Sequence, residues 1–535
     1  MAARAKPWWD LGSRLLTIGY WGAVALVLLG LLSTRLLPLV DYPQHLALAA
    51  LLKRIIVGDP AATALFETNL VSYNSAFHVV VALLHLALPI EIAGSIVIGG
   101  GVVLAAIAVL RLLDATDRPR TRAFLALPLL VGYSFAWGFV NFGLGLAIQL
   151  LVLSRIIGRA SGRPASARDD LITAVLAVLG AWTHLLASAL GYMLHLVAIV
   201  VDVQTRRAAL AARLGRAVRI GVPLLPAIGY CALVYVRQKQ LAWQNFEYGK
   251  HEGNDAFALV KVKDFLDFTA GLRADQLDAK VVAIVLGLLL ISALFRDLDD
   301  APPPVLRWLF VASLVAYLVI PHVFWATNFV FERISFLVVL TAILWAPKMS
   351  APREELAQIV ALSLGLFTAT AFVVWTGEVR AQTADLDAIL DQMPKGRRVT
   401  GLVHQPKIPA TQQWSLLHSP AFYVARNGGE VAFSFTRTMS LPVHYKRETL
   451  PPDPPANFEW NPGDYAPDLP FARYFDLLLV KTVRPGDPRG ALFGARAEQV
   501  TVVAQRGAWW ILDTKALAAR PVLDDRGSDD HEGGP

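Results

Sequence analysis

Up to Trp375 this chain is a succession of apolar runs, each about as long as the ~20 residues that a helix needs to cross a bilayer. In hydrocarbon every backbone N–H and C=O must be satisfied within the protein, so such runs fold as membrane helices packed into a bundle. The apolar segments are 17–38, 72–89, 92–113, 121–136, 139–157, 170–185, 187–203, 217–236, 280–296, 306–321, 331–347 and 355–376. Hydrophobic residues make up 55% of the chain and charged residues only 17%, against about 25% charged in soluble proteins. This is a polytopic membrane protein. The net charge of +7 does not point to nucleic acid, because the Arg and Lys residues sit in short loops between apolar runs and read as orientation signals. Cys231, the one cysteine, allows neither a disulfide framework nor a cysteine metal site. The basic N-terminus "MAARAKPWWDLGSR" reads as a signal anchor retained as the first span.

Counting positive charges orients the bundle. The Arg-rich loops 111–122, 155–170, 205–219 and 347–355 are mutually consistent as cytoplasmic. The loops 237–279 and 321–332 and the C-terminal region are then outside, as is Asp41. An odd number of crossings is needed between Asp41 and Arg111, yet two apolar segments lie there. The weaker, 72–89, is interrupted by Asn74, His78 and His85 and is expected to be interfacial or re-entrant. The expected fold is a mainly α polytopic membrane protein with about 11 spans plus that one helix, a cytoplasmic N-terminus and a C-terminal extracytoplasmic α/β domain. Twelve spans with one terminus reassigned is the alternative. Reporter fusions after Ala115 and after Val379 are expected to read inside and outside, respectively.

Composition changes after Trp375, which divides the chain into a membrane domain (1–376), an α/β domain (377–520) and a disordered tail (521–535). Residues 378–393 have helical spacing, while "RRVTGLV", "EVAFSF" and "YFDLLLVKT" read as strands. "EQVTVVAQRGAWWILDT" reads as two strands around a turn.

The stretch "LVDYPQHLA" follows the first span and carries Asp41, Tyr42, Gln44 and His45. One reading of Asp41 is a solvated carboxylate capping the next helix, with Pro43 in its first turn. The other is a functional group, because more polar residues gather at the same outer face. "SYNSAFH" supplies Tyr73, Asn74 and His78; Tyr133, Trp137 and Asn141 surround one outer turn, and His184 marks another. His322, Asn328, Glu332 and Arg333 mark a third. Each has a plainer reading: His184 bonding a neighbouring backbone, Trp and Tyr forming an interfacial belt, Glu332 and Arg333 pairing with each other. Their sum is an acid, a base, an amide and an arginine on one face. A carboxylate there can take the proton of an acceptor hydroxyl as it attacks an activated sugar carbon. An arginine can hold a leaving phosphate. The sequence contains no GxxxxGK[ST] phosphate loop and no HExxH metal motif, and the "IGGGVV" run reads as close helix packing.

With "LVDYPQHLA" after the first span, "ERISFLVVL" (332–340) leading a late span, "WGFVNFGLGLAIQLLVL" (137–153) and an external α/β domain, the chain resembles the C-type (GT-C) glycosyltransferase superfamily. It is closest in character to poorly characterised bacterial members. The resemblance implies a multi-pass inner-membrane enzyme that takes sugar from a polyprenyl phosphate, with Asp41 as catalytic base, Arg333 as lipid-phosphate contact and inversion at the sugar. Many members carry two adjacent acids where this chain has Asp41-Tyr42, and a "KPPL" motif where it has "YNSAF". The expected substrate-binding set is Tyr42, Gln44, His45, Asn74, His78, Asn141, His184, Glu332 and Arg333, with no metal ligand assigned and room left for a divalent cation. Expected partners are a polyprenyl-phosphate-linked sugar, the lipid bilayer and an extracytoplasmic glycan, lipid or protein acceptor, with no nucleic acid. Two other classes compete: a lipid-linked glycan transporter, which would place its polar residues near the midplane, and a non-catalytic subunit of an envelope polysaccharide complex.

Overall fold

The computed structural model of the protein describes residues 11–240, 257–295, 302–323, 328–437 and 441–518. Seven of its helices are long and apolar enough to cross a membrane: Leu15–Ser33, Ile90–Ala115, Val140–Ala160, Leu185–Thr205, Leu210–Arg237, Leu277–Leu294 and Arg353–Gln382. The other four of the eleven expected spans are shorter or broken. They are Ala123–Leu130 with Tyr133–Ala136, Ala167–Thr183, Pro304–Val319 and Ser335–Trp345. For the first and last of these the reason is visible in their burial. Phe124, Leu127, Leu337, Val339, Leu340 and Ile343 are all buried within the bundle, and irregular backbone at membrane depth is tolerated where protein rather than lipid surrounds it. The weak segment 72–89 forms only the nine-residue helix Ala76–Leu84, about 14 Å long at 1.5 Å per residue and too short to cross a ~30 Å core. The Arg-rich stretch 205–219, expected as a loop, is helical from Leu210 and runs into the following span.

The C-terminal region holds a five-stranded mixed sheet. Two strands met before or between its members complete the set: β1 (Phe66–Thr68), β2 (Arg398–Val403), β3 (Glu430–Val431), β4 (Val443–Tyr445), β5 (Leu477–Lys481), β6 (Thr501–Arg506) and β7 (Trp509–Asp513). The order is β3-β2-β5-β7-β6, with β2 parallel to β3 and β5, and β7 antiparallel to β5 and β6. Central β5, "LLLVK", is buried along its whole length, as a strand covered on both faces should be. The expected strand "EVAFSF" shrinks to two residues. Gln44 takes up the backbone beyond it: its side-chain Nε2 donates to Phe433 O at 2.9 Å and its Oε1 accepts from Phe435 N at 3.1 Å. The tail 521–535 lies outside the described residues.

No linker separates the two regions. The Ala351–Gln382 helix runs straight through position 376, and the Trp375 indole donates to Ala410 O at 3.0 Å. β1, from the segment between the first and second membrane-length helices, pairs antiparallel with β4, and the Glu67–His444 contact across this ladder (3.0 Å) joins residues 377 positions apart. Arg426, buried, pairs with Glu91, Asp387 and Asp391. The C-terminal region is thus pinned over the helix Tyr42–Ile56, with which Phe422 also makes an edge-to-face contact through Tyr42.

Candidate active site

Asp41 stands at the N-cap of Tyr42–Ile56, with Pro43 in the first turn, but its side chain makes no capping bond. It turns the other way. Oδ1 lies 3.1 Å from Nδ1 of His418, a buried histidine of the C-terminal region. The two atoms are close, but they make no aligned hydrogen bond. The backbone here is held by Asp41 N donating to Trp137 O at 2.9 Å and Val40 N to Ala136 O at 3.2 Å. That approach requires Gly138. Its φ is +75°, and a Cβ there would meet Tyr42 N at 2.8 Å and Asp41 N at 3.0 Å. Gly138→Ala is expected to cost about 1–3 kcal/mol of stability and to lower the melting temperature of the purified protein. An unchanged melting curve would show that the Asp41 turn does not depend on this contact.

Arg333 comes from the short 3₁₀ turn Glu332–Ile334 that leads into Ser335–Trp345. It is buried. Its guanidinium lies 3.6 Å from the centre of the Phe139 ring and 5.9 Å from that of Phe142, stacking that suits a planar, weakly hydrated cation. Nη2 donates to Asn328 O at 3.1 Å, while buried Nε has no hydrogen-bond partner among the described residues. Glu332, also buried, bonds His322 through one oxygen. Asp41, Tyr133 and Glu332 all lie within electrostatic reach of Arg333.

The histidines close the cluster. His45 Nδ1 is 2.9 Å from His78 Nε2, and His45 also lies within electrostatic range of His184, His418 and Arg333. Burial holds the His45 imidazole well below its ordinary pKa, with the neighbouring His78, His184, His418 and Arg333 adding in the same direction. Its ring is held in the cluster by the His78 contact.

Of the residues singled out in the sequence, the structure brings Asp41, His45, His78, His184, Glu332 and Arg333 into this one neighbourhood. Of the others, Gln44 and Tyr42 bond the protein, while Asn74 Oδ1 and Asn141 Nδ2 are buried with no hydrogen-bond partner among the described residues. Gln44 clamps the 433–435 backbone, as above. Tyr42 is fully buried with its hydroxyl toward Glu91 O. Asn74 occupies a left-handed turn position (φ 64°), where Asn is favoured among non-glycine residues. Asn141 Oδ1 accepts from Phe77 N at 3.1 Å. His184 also has a structural duty, since Nδ1 accepts from Ala187 N at 3.3 Å as the N-cap of Leu185–Thr205. Sequence reasoning missed His418. It lies in the loop "SLLHSP", which has no periodicity or motif to mark it. Among the described residues no three His, Cys, Asp or Glu side chains are grouped to hold a metal ion.

Beside the cluster runs an apolar cavity of about 110 Å³. Its walls come from Ile90–Ala115, Ala123–Leu130, Val140–Ala160 and Ser335–Trp345, and they include Leu39, Phe139 and Phe142. The cavity therefore reaches the two rings beneath the Arg333 guanidinium. In the glycine run, Gly99 does pack closely, since a Cβ there would meet Leu28 at 3.0 Å. Gly101 instead lines the cavity, as does Gly143.

No protein-family model matches this sequence, and no curated protein matches it significantly. Solved structures do. The crystal structure of ArnT from Cupriavidus metallidurans bound to undecaprenyl phosphate aligns with 95% of this chain and 99% of its own, with a TM-score of 0.53 and 12% identity. The same protein in the apo state aligns with 96% of this chain and 100% of its own, with a TM-score of 0.52 and 12% identity. At that identity the likeness is one of fold, and it takes in the membrane bundle and the C-terminal region together. The chain therefore shares the fold of this ArnT over almost its whole length.

Proposed function

We propose that the chain moves a sugar from a polyprenyl phosphate to an extracytoplasmic glycan, lipid or protein acceptor, with Asp41 as general base and inversion at the sugar. The observation that carries this reading is the join between the apolar cavity and the charged cluster. Phe139 and Phe142 line the cavity and also carry Arg333, whose Nε has no hydrogen-bond partner among the described residues, with Asp41 in electrostatic reach. A prenyl chain fits the apolar walls, and its phosphate then meets the guanidinium. The fold neighbour from Cupriavidus metallidurans binds undecaprenyl phosphate, which supports this ligand class.

The chemistry follows from the placement. Asp41 removes the proton of the acceptor hydroxyl as its oxygen attacks the sugar carbon. The bond from that carbon to the phosphate oxygen breaks, and its electron pair stays on the phosphate beside Arg333. A single displacement of this kind inverts the carbon. The eleven-span topology, with Asp41 and the C-terminal region outside, belongs to the same proposal. To test it, purified protein in nanodiscs is incubated with a panel of undecaprenyl-phosphate monosaccharides, and released undecaprenyl phosphate is measured. Release from at least one donor supports the reading. Movement of intact donor across a vesicle membrane without release would replace it with transport.

The cavity has its own test. Gly143 lines the cavity and a Cβ there meets no atom within 4 Å, so Gly143→Leu is expected to add its side chain on the cavity side. Displacing two methylenes of a bound chain costs about 1.6 kcal/mol, so undecaprenyl phosphate binding should weaken more than about tenfold with the melting temperature retained. Unchanged affinity would place the lipid elsewhere.

A further inference from the structure

We propose that His418, supplied by the C-terminal region, is the positioning partner of Asp41 and takes up the proton that Asp41 removes from the acceptor. The inference rests on the transferase reading. His418 and Asp41 are both built around the start of Tyr42–Ile56. The His418 ring stacks on Phe433 (centroids 4.8 Å apart, planes at 22°) and meets the edge of Phe435 at 5.8 Å. Gln44, three residues after Asp41, holds the backbone of those same two phenylalanines. The imidazole is therefore fixed against the carboxylate at 3.1 Å by the element that carries the carboxylate.

Beyond the ring is a cavity of about 20 Å³, lined by Gln44, His418, Phe433, Phe458 and Glu459. That is room for one water, which needs about 10–15 Å³. Glu459 lies within electrostatic reach of His418, and burial pushes its carboxyl up while His418 pulls it down. The charged and titratable groups facing His418 are thus Asp41, His45 and Glu459.

The proton balance closes. The acceptor O–H bond breaks and its proton goes to an Asp41 oxygen as the oxygen–sugar bond forms. His418 accepts that proton at Nδ1, which regenerates the Asp41 carboxylate. Its other nitrogen then releases a proton through the water-sized cavity to Glu459 and on to solvent; once product has left, Nδ1 gives its proton to water in the emptied acceptor site and the other nitrogen regains one by way of Glu459, which restores the starting tautomer.

The test uses full-length protein in nanodiscs and those undecaprenyl-phosphate monosaccharides that the unsubstituted protein turns over. His418→Gln is expected to lower kcat about tenfold or more with the donor KM unchanged, and Glu459→Gln to lower kcat by a smaller factor. Asp41→Asn is expected to move the imidazole ¹⁵N resonances of His418. An unchanged kcat in folded His418→Gln overturns the proposal, as do His418 resonances indifferent to Asp41→Asn. Should His418→Gln fail to fold, unchanged kcat in Glu459→Gln overturns it instead. If the unsubstituted protein releases no undecaprenyl phosphate from any donor, the transferase reading has failed, while the resonances still decide the pairing.

Discussion

Asp41→Asn is expected to insert, fold and bind lipid-linked donor like the unsubstituted protein, and to transfer sugar at least about a hundredfold more slowly. The substitution is close to isosteric. The local turn is held by the Asp41 backbone N–H on Trp137 and by the close approach of Gly138, and neither contact involves the carboxylate. Because the side chain makes no capping bond, the following helix loses no cap. What disappears is the carboxylate facing His418 and Arg333, and with it the base that takes the acceptor proton in the proposed reaction. Released undecaprenyl phosphate and melting temperature, measured together, check this. Full activity in a folded Asp41→Asn protein would remove the mechanism.

Arg333→Ala should act at the other end of the reaction. A hydrogen bond to a charged group contributes about 1.5–3 kcal/mol, so undecaprenyl phosphate should bind roughly ten- to a hundredfold more weakly. Arg333→Lys should recover only part of this. Lysine keeps the charge but lacks the planar fork and the flat face that stacks on Phe139. Titration of undecaprenyl phosphate into nanodisc-held protein reads both variants. Equal affinity in Arg333→Ala would put the phosphate away from this guanidinium. The alanine variant should also melt lower, because removing the buried arginine leaves Glu332 with fewer compensating charges.

The sequence carried the helical bundle, the shortness of the weak 72–89 helix and the strands at 398–403, 477–481 and 501–513, because each of these is written as local periodicity. It could not carry the breaks at 131–132 and before Ser335. There burial, not residue spacing, decides whether irregular backbone survives. For the site, Asp41 and Arg333 were legible because charge is rare in apolar surroundings. Gln44 was singled out for the same reason, and its amide bonds backbone. A polar side chain at the membrane surface looks the same in one dimension whether it meets ligand or backbone, and its partner lies at Phe433 and Phe435. His418 was hidden by distance, since only the tertiary fold brings it to Asp41. β1 and β4 were hidden too, because three residues are too few to show alternation.

The β1–β4 ladder alters what counts as a transferable module of this chain. Grafting 377–520 onto another bundle would strip β4 of its mate and orphan the Glu67–His444 bridge. A working chimera must also import the juxtamembrane hairpin from Tyr42 to Thr68, so the natural crossover points fall on either side of that hairpin as well as near the head of the last span. Cut there, the outer head and its clasp would travel as one piece and leave the lipid-facing helices behind.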